Sequence, residues 1–529
     1  MLLLQNISYA HHNTDVLFSD INLSLNKQNK IALIGNNGSG KSTLLKVIAG
    51  IFTPASGTIT ARTRPYYVPQ LFDGFSEQTI GGALGIESKL NALQAILNGN
   101  VSEENLEMLN EDWALEERCR EAFSYWKLNE IDLTQSFQNL SGGQKTKIFL
   151  AGIFIHQPEI ILLDEPSNHL DLEARQKLYQ FINSCPATII VVSHDRQLLQ
   201  LLPEMYELSK NGLKAYGGNY EFYSTQKAIE TKALGHELKN KEKLLRKAKD
   251  TERETAERQQ KLDARGKKKQ IKAGVPTIAL NTLRNNAEKS TSRIKDVHAE
   301  KTGAINDELN ALRSQIPEID KMKLGFDKAN LHKGKTLFRA TNINHTYGQL
   351  PIWGTDMNLE ITSGARIALK GSNGSGKTTL IKIILGETEP KWGKVYRANT
   401  KTIYIDQDYS LLSNQLTVYE LALQFNQSGL QEHEIKIRLN RFLFTKIYWD
   451  KHCSTLSGGE KMRLILCCLT ISNQAPDMLI LDEPTNNLDL QNIEILTNAI
   501  GDYEGTILVV SHDNYFIEQL NITEIIEIN

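Results

Sequence analysis

Residues Gly35–Ser42 read GNNGSGKS, and residues Gly371–Thr378 read GSNGSGKT. Each follows a short apolar run, Ile31–Ile34 or Ile367–Leu369, and each opens a stretch with helical spacing. Further along, LSGGQ at Leu140–Gln144 returns as LSGGE at Leu456–Glu460. ILLDEPSNHLD at Ile161–Asp171 returns as LILDEPTNNLD at Leu479–Asp489, and VVSHD at Val191–Asp195 as VVSHD at Val509–Asp513. Four motifs repeated in one order mean a duplicated domain. The offset is 336 residues for Lys41/Lys377 and 337 for Gln70/Gln407, but 316 for Ser141/Ser457 and 318 for Asp164/Asp482 and His194/His512. The first copy therefore holds about twenty extra residues, expected within 84–113, where the pattern reads as short helices.

Each copy reads as α/β. A β-rich start (Ile7–Leu25; Ala340–Ile361) leads to the apolar strand, the glycine loop and a helix. The continuous β-branched runs Ile160–Leu163 and Ile189–Val192, with their counterparts, predict a parallel sheet covered on both faces. Between the copies the pattern changes. Leu234, Leu238, Lys241, Leu245 and Ala248 repeat at 4-3-4-3 spacing, and Ile305, Leu309, Leu312 and Ile316 at 4-3-4. The segment GKKKQIKAGVPTIALN (Gly266–Asn281) is expected to break the helix through its glycines and Pro276. We therefore expect domains at 1–224 and 326–529, joined over 225–325 by an antiparallel helical hairpin with its tip at about 265–282. A helix of forty residues would reach ~60 Å.

Composition excludes several classes. The chain has 529 residues, 40% hydrophobic and 23% charged, as in ordinary globular proteins. No apolar run approaches the ~18–20 residues that cross a bilayer. The start, MLLLQNISYA, has neither a basic n-region nor a small-residue cleavage site, so no signal peptide is expected. Five cysteines without a CxxC pair fit no disulfide framework or zinc site and suit a reducing cytoplasm. Net charge is −2 overall but segregated. Residues 225–325 hold 24 Lys/Arg against 15 Asp/Glu, a net +9, and the remainder is −11. A basic middle between acidic ends points to a polyanionic partner.

The motifs carry phosphate chemistry. In GxxxxGK[ST] the glycines let backbone N–H groups approach phosphates, and the following helix offers its positive N-terminus. A bare glycine turn would account for one such loop but not for two in register. The first cradle is Gly35, Asn36, Asn37, Gly38, Ser39, Gly40, Lys41 and Ser42; the second is Gly371, Ser372, Asn373, Gly374, Ser375, Gly376, Lys377 and Thr378. Lys41 and Lys377 would reach the β- and γ-phosphates, and the hydroxyls of Ser42 and Thr378 would sit on Mg²⁺. Asp164 and Asp482 end apolar strands, where a carboxylate can hold Mg²⁺. The adjacent Glu165 and Glu483 are candidate bases for the attacking water. In SGG a helix begins on unhindered amides, a second anion site.

Together these motifs, with Gln70 and Gln407 after short strands and His194 and His512 in VVSHD, resemble the ATP-binding cassette ATPases over nearly the whole chain outside 226–325. The resemblance implies two P-loop NTPase cassettes that hydrolyse ATP to ADP and phosphate. It also implies that Gln70 and Gln407 sense Mg²⁺ and the γ-phosphate, and that His194 and His512 contact the γ-phosphate. It further implies two composite sites: Gly35–Ser42 with Ser457, Gly458, Gly459 and Glu460, and Gly371–Thr378 with Ser141, Gly142, Gly143 and Gln144. Glu460 departs from the usual glutamine, which puts the equivalence of the sites in question. Tyr9 and Tyr347 stand where the family stacks a ring on adenine.

Fused cassettes with a basic helical linker resemble the ABC-F family. That resemblance implies a cytoplasmic monomer that closes on the ribosome, its linker approaching tRNA and rRNA, as a translation factor or in antibiotic protection of ribosomes. Arg265, Lys267, Lys268, Lys269 and Lys272 are the candidate RNA contacts. The alternative is the ATP-hydrolysing subunit of a membrane importer, which needs no basic hairpin of this length. A recycling ATPase with iron–sulfur clusters would need cysteines before Cys119, and a chromosome ATPase would split one cassette around a far longer coil.

Overall fold

The computed structural model describes residues 1–10, 16–209, 212–273, 292–293, 296–312, 334–348, 350–372, 374–472, 475–486 and 488–528. The first copy contains strands β1 (Leu2–Ala10), β2 (Val16–Leu25), β3 (Lys30–Ile34), β4 (Ser56–Ala61), β5 (Tyr66–Val68), β6 (Ile160–Asp164), β7 (Thr188–Val192), β8 (Glu204–Ser209) and β9 (Gly212–Gly217). The second contains β10 (Thr336–Asn344), β11 (Met357–Thr362), β12 (Arg366–Gly371), β13 (Trp392–Arg397), β14 (Thr402–Ile405), β15 (Met478–Asp482), β16 (Thr506–Val510) and β17 (Glu524–Ile528).

Each copy has two sheets. A three-stranded antiparallel sheet, ordered β2-β1-β4 or β11-β10-β13, packs its apolar face against the helix that follows the P-loop. The central sheet is ordered β5-β6-β7-β3-β8-β9 in the first copy and β14-β15-β16-β12-β17 in the second. Its strands are parallel except β9, which pairs antiparallel with β8. Strands β6, β7, β15 and β16 are buried at every position, as their unbroken apolar runs require when helices cover both faces.

The segment 84–113 of the first copy contains two short helices, Glu87–Leu97 and Glu103–Leu109; the helix after them, Leu115–Tyr125, is the one that Glu432–Arg441 of the second copy matches at the 316-residue offset. Ser102 caps the second of them by accepting the Asn105 N–H.

Residues Phe222–Asp320 form a separate unit. The linker helix runs unbroken from Tyr220 to Ala273, 54 residues. The expected break at Gly266 is therefore a correction. One glycine costs only ~1 kcal/mol, and its neighbours in KLDARGKKKQIKA are nearly all good helix formers. The returning helix is described over 296–312; the expected tip around Pro276 lies outside the described residues. Thr231, Leu234, Leu238, Lys241, Leu245 and Ala248 are half-buried along one stripe of the first helix. The facing stripe of the second is His298, Thr302, Ile305, Leu309 and Leu312. Lys241 pairs with Glu308 between the two, and Leu309 is fully buried.

Candidate active site

The chemistry gathers at the carboxyl ends of adjacent parallel strands, where an open α/β sheet offers a crevice. Neighbouring strands β5, β6, β7 and β3 deliver Gln70, Asp164 with Glu165, His194, and the first P-loop. Strands β14, β15, β16 and β12 deliver Gln407, Asp482 with Glu483, His512, and the second P-loop.

Each P-loop needs its glycines. Gly40 (φ +96°) and Gly376 (φ +89°) cap the following helices in the left-handed region, and a Cβ at Gly40 would come within 2.9 Å of Leu17 and Phe18. Lys41 Nζ donates to the carbonyls of Gly35 (2.7 Å) and Asn36 (3.2 Å), and Lys377 Nζ to those of Gly371 and Ser372 (both 2.8 Å). Each ammonium is thus parked on its own loop. The buried hydroxyls of Ser39 and Ser375 have no hydrogen-bond partner among the described residues. Buried polar atoms are normally paired, so these mark a cradle shaped for a polar ligand.

Behind the loop, Ser42 Oγ donates to Asp164 Oδ1 (3.0 Å) and the Tyr67 hydroxyl to Oδ2 (2.9 Å). Tyr404 makes the equivalent bond to Asp482 Oδ2 (3.1 Å), while Thr378 is exposed. Glu165 and Glu483 share a left-handed backbone, φ +50° and +48°, which a non-glycine residue adopts at a cost of ~1–3 kcal/mol. The same strained turn in both copies aims each carboxylate back at its histidine. His194 N–H donates to Glu165 Oε2 (3.3 Å) and His194 Nε2 lies 3.4 Å from Oε1; His512 and Glu483 repeat both distances. Burial pushes the Glu165 carboxyl up to about 8, with Lys41 pulling it back, and the Glu483 carboxyl up to about 7, opposed by Arg175. Burial holds His194 well below the usual imidazole range and His512 down to about 4. Both histidines are therefore neutral near pH 7.

The signature serines cap their helices. Ser141 N–H donates to Gln144 Oε1 (2.9 Å) and Gln144 N–H returns to Ser141 Oγ (3.3 Å). Ser457 and Glu460 make the same box at 2.8 and 3.4 Å. A Cβ at Gly459 would stand 2.3 Å from Asn492 Nδ2, so a larger residue there would displace that side chain from its bond to Asp489.

The first P-loop meets the second copy. Asn37, Gly38, Lys41, Ser42, Gln70, Glu165 and His194 line a cleft of about 670 Å³ whose other wall includes Ser457, Gly458 and Lys461. Asn37 N–H donates to Asp489 Oδ2 of the second copy (2.8 Å). At the second P-loop the first copy brings charge: Asp171 acts on Lys377, and Arg175 on Glu483 and His512. Of the adenine candidates, Tyr347 is 72% exposed, its hydroxyl 3.4 Å from Thr379 Oγ1, whereas Tyr9 is stacked between Phe18 and Phe52. It is Leu17 that lines the cleft on that side. Arg265 is exposed on the linker helix; Lys267, Lys268, Lys269 and Lys272 lie on the same helix, their side chains outside the described residues.

The sequence model of the ABC transporter family matches residues 18–168 and 355–486, more than half of the chain. The ATP-binding protein YdiF of Bacillus subtilis is 31% identical over all of this chain and 80% of its own length. The chain belongs to the ABC-F family of tandem ATP-binding cassette ATPases. ABC transporter F family member 5 of Arabidopsis thaliana is 28% identical over 99% of the chain and 74% of its own length, and the ATP-binding protein Uup of Haemophilus influenzae 30% identical over 92% and 73%. Among solved structures, the archaeal ribosome recycling factor aABCE1, in complex with the ribosomal stalk protein aP1, shares the fold. Its TM-score is 0.59 at 20% identity, over 98% of this chain and 86% of that one.

As an ABC-F ATPase the chain binds and hydrolyses ATP. Among the described residues, no helix is long and apolar enough to cross a membrane. Sequence reasoning missed Asp489, Arg175, Lys461 and Leu17. Asp489 and Asp171 carried a readable signal, since each stands at the start of a helix and caps it. Nothing in the sequence said what their second carboxylate oxygens would face.

Proposed function

We propose that this ABC-F ATPase holds two ATP molecules between its cassettes, closes around them on the ribosome, and leaves when both are hydrolysed. The observation that carries the reading is the shared cleft, in which the first P-loop and the Ser457–Gly458 turn face one space. Each P-loop contributes phosphate donors from its own cassette, and the opposite SGG amides supply the γ-phosphate contact. The second site is the pair of Gly371–Thr378 with Leu140–Gln144. ATP is therefore part of the interface, and its hydrolysis removes the contact that holds the halves together.

Within each site, Lys41 or Lys377 leaves its carbonyls for the β- and γ-phosphates. Glu165 or Glu483 orients and deprotonates the attacking water, and neutral His194 or His512 contacts the γ-phosphate. The donor set of Ser42 or Thr378, Gln70 or Gln407, and Asp164 or Asp482 suits Mg²⁺, which neutralises phosphate charge when bound. Tyr347 stacks on one adenine; at the other site Leu17 stands beside Tyr9.

The ribosome enters through three supports. ABC-F relatives span 99% of the chain. Two solved structures with this fold are those of the archaeal ribosome recycling factor aABCE1 and of ribosome-bound archaeal Pelota and ABCE1. The linker carries +9 against −11 elsewhere, which suits RNA recognised through its backbone. A cytoplasmic site of action follows from that partner, whether the outcome is translation control or antibiotic protection. The inserted helices are an unlike surface: residues 84–113 hold six acidic side chains and one lysine, a poor match for RNA.

The test is a Glu165→Gln/Glu483→Gln protein. With ATP it should close without hydrolysing and pellet with ribosomes, while the wild type should be released within one turnover. Retention of the variant in the supernatant at low salt, with capture by membrane vesicles instead, would overturn the ribosomal reading.

A further inference from the structure

Arg196 is a buried cation, 8% exposed, at the start of the helix Arg196–Gln200 and two residues past His194. Its guanidinium lies over the ring of Tyr515 at 4.5 Å from the centroid. Tyr515 belongs to the second cassette, three residues past His512. The same guanidinium lies 5.9 Å from the ring of Tyr220, the first residue of the linker helix. Arg196 Nε has no hydrogen-bond partner among the described residues. A buried cation is normally held by an acceptor at each donor; here aromatic faces hold part of it.

The surroundings brace both loops. Asp195 caps its helix through the N–H groups of Gln197 and Leu198 and accepts the Tyr179 hydroxyl at 2.5 Å. Asp513 caps the facing helix through the Phe516 N–H (3.1 Å) and lies within the field of Arg196. The contact has no mirror-related twin. At the 318-residue offset Arg196 corresponds to Asn514 and Tyr515 to Gln197, and Asn514 accepts from Lys370 instead (3.1 Å).

We propose that Arg196 is a positioning residue that couples the two ATP sites, clamping the His194 loop to the His512 loop through Tyr515. The proposal rests on the two-site reading above. A loop that shifts to meet a γ-phosphate at one cleft drags the opposite histidine toward its working position, so the second ATP meets a site already set. Because Tyr220 shares the guanidinium, the linker helix is joined to the same node at its first residue.

The experiment is the ATP dependence of hydrolysis by the full chain and by Arg196→Ala, Tyr515→Ala and Tyr515→Phe. The wild type should be sigmoidal, with a Hill coefficient approaching ~2, the number of sites. Arg196→Ala and Tyr515→Ala should fall to about 1, whereas Tyr515→Phe, which keeps the ring face, should stay near wild type. A merely structural contact would lower stability or kcat without this split. Tyr515 is 44% exposed, so its pair of variants decides the matter even if Arg196→Ala does not fold. A wild-type coefficient near 1, an unchanged coefficient in both alanine variants, or equal loss in Tyr515→Phe would each overturn the proposal. Binding stoichiometry in Glu165→Gln/Glu483→Gln keeps the two ideas apart. One ATP per chain would sink the two-site reading, while two with unaltered cooperativity would sink only the coupling.

Discussion

Glu460 and Gln144 hold their serines in the same box, yet the atoms left over differ. Gln144 accepts through Oε1 and keeps an amide that can donate toward a phosphate. Glu460 accepts with Oε2 from both the N–H and the hydroxyl of Ser457, at 2.8 and 2.9 Å, and has no donor left. Its negative charge is welcome at a helix N-terminus and unwelcome beside a γ-phosphate. Glu460→Gln should therefore lower unfolding stability by ~0.3–1 kcal/mol while strengthening ATP at the first cleft by roughly two- to fivefold. Titrating a fluorescent ATP analogue into the Glu165→Gln/Glu483→Gln background, with and without Glu460→Gln, reads the second effect. Unchanged affinity would mean that the carboxylate points its charge away from the nucleotide. The departure from LSGGQ was legible in the sequence. Its consequence for the cap was not, because a capping box is satisfied equally by either side chain.

At the scale of elements, buried strands and P-loop helices were readable because their residues have a single purpose. β6 and β15 are apolar throughout because helices cover them, and the motif residue follows at the strand end. The linker was readable in its stripe and misread at its glycine. The heptad positions Leu234, Leu238, Lys241, Leu245 and Ala248 are all half-buried, so spacing located the contact face. Gly266 stopped nothing because helix propensity sums over a long window in which one unfavourable residue is outvoted. Among the described residues of the hairpin, Leu309 is a fully buried side chain. Leu309→Ala should remove ~2–5 kcal/mol of packing there. Hydrogen exchange across residues 231–256 should accelerate, while ATP hydrolysis without ribosomes stays within about twofold of wild type. Loss of ATPase activity in parallel would show that the hairpin and the cassettes unfold together rather than as separable units.

At the scale of the whole molecule, the sequence lists the candidate catalytic residues of each cassette but not the bonds that join the cassettes. Asn37 and Asp489 are 452 residues apart, and no periodicity or spacing could connect them. Asp489 shows how one carboxylate serves both scales. Its Oδ1 accepts the Asn492 N–H and caps the helix Leu490–Gly501, and its Oδ2 accepts the P-loop N–H of Asn37. Its charge also supports the protonated form of Lys41, against burial. The two duties separate by substitution, because asparagine caps a helix about as well as aspartate but carries no charge. Asp489→Ala should cost ~1 kcal/mol of stability through the lost cap, and Asp489→Asn far less. Both should slow ATP hydrolysis, since each weakens the only charged acceptor that the second cassette is seen to place on an amide of the first P-loop among the described residues. Thermal unfolding and steady-state ATPase assays on the pair separate these effects. If Asp489→Asn hydrolyses ATP at the wild-type rate, the carboxylate is a helix cap alone, and the cross-cassette bond carries no part of the catalytic geometry.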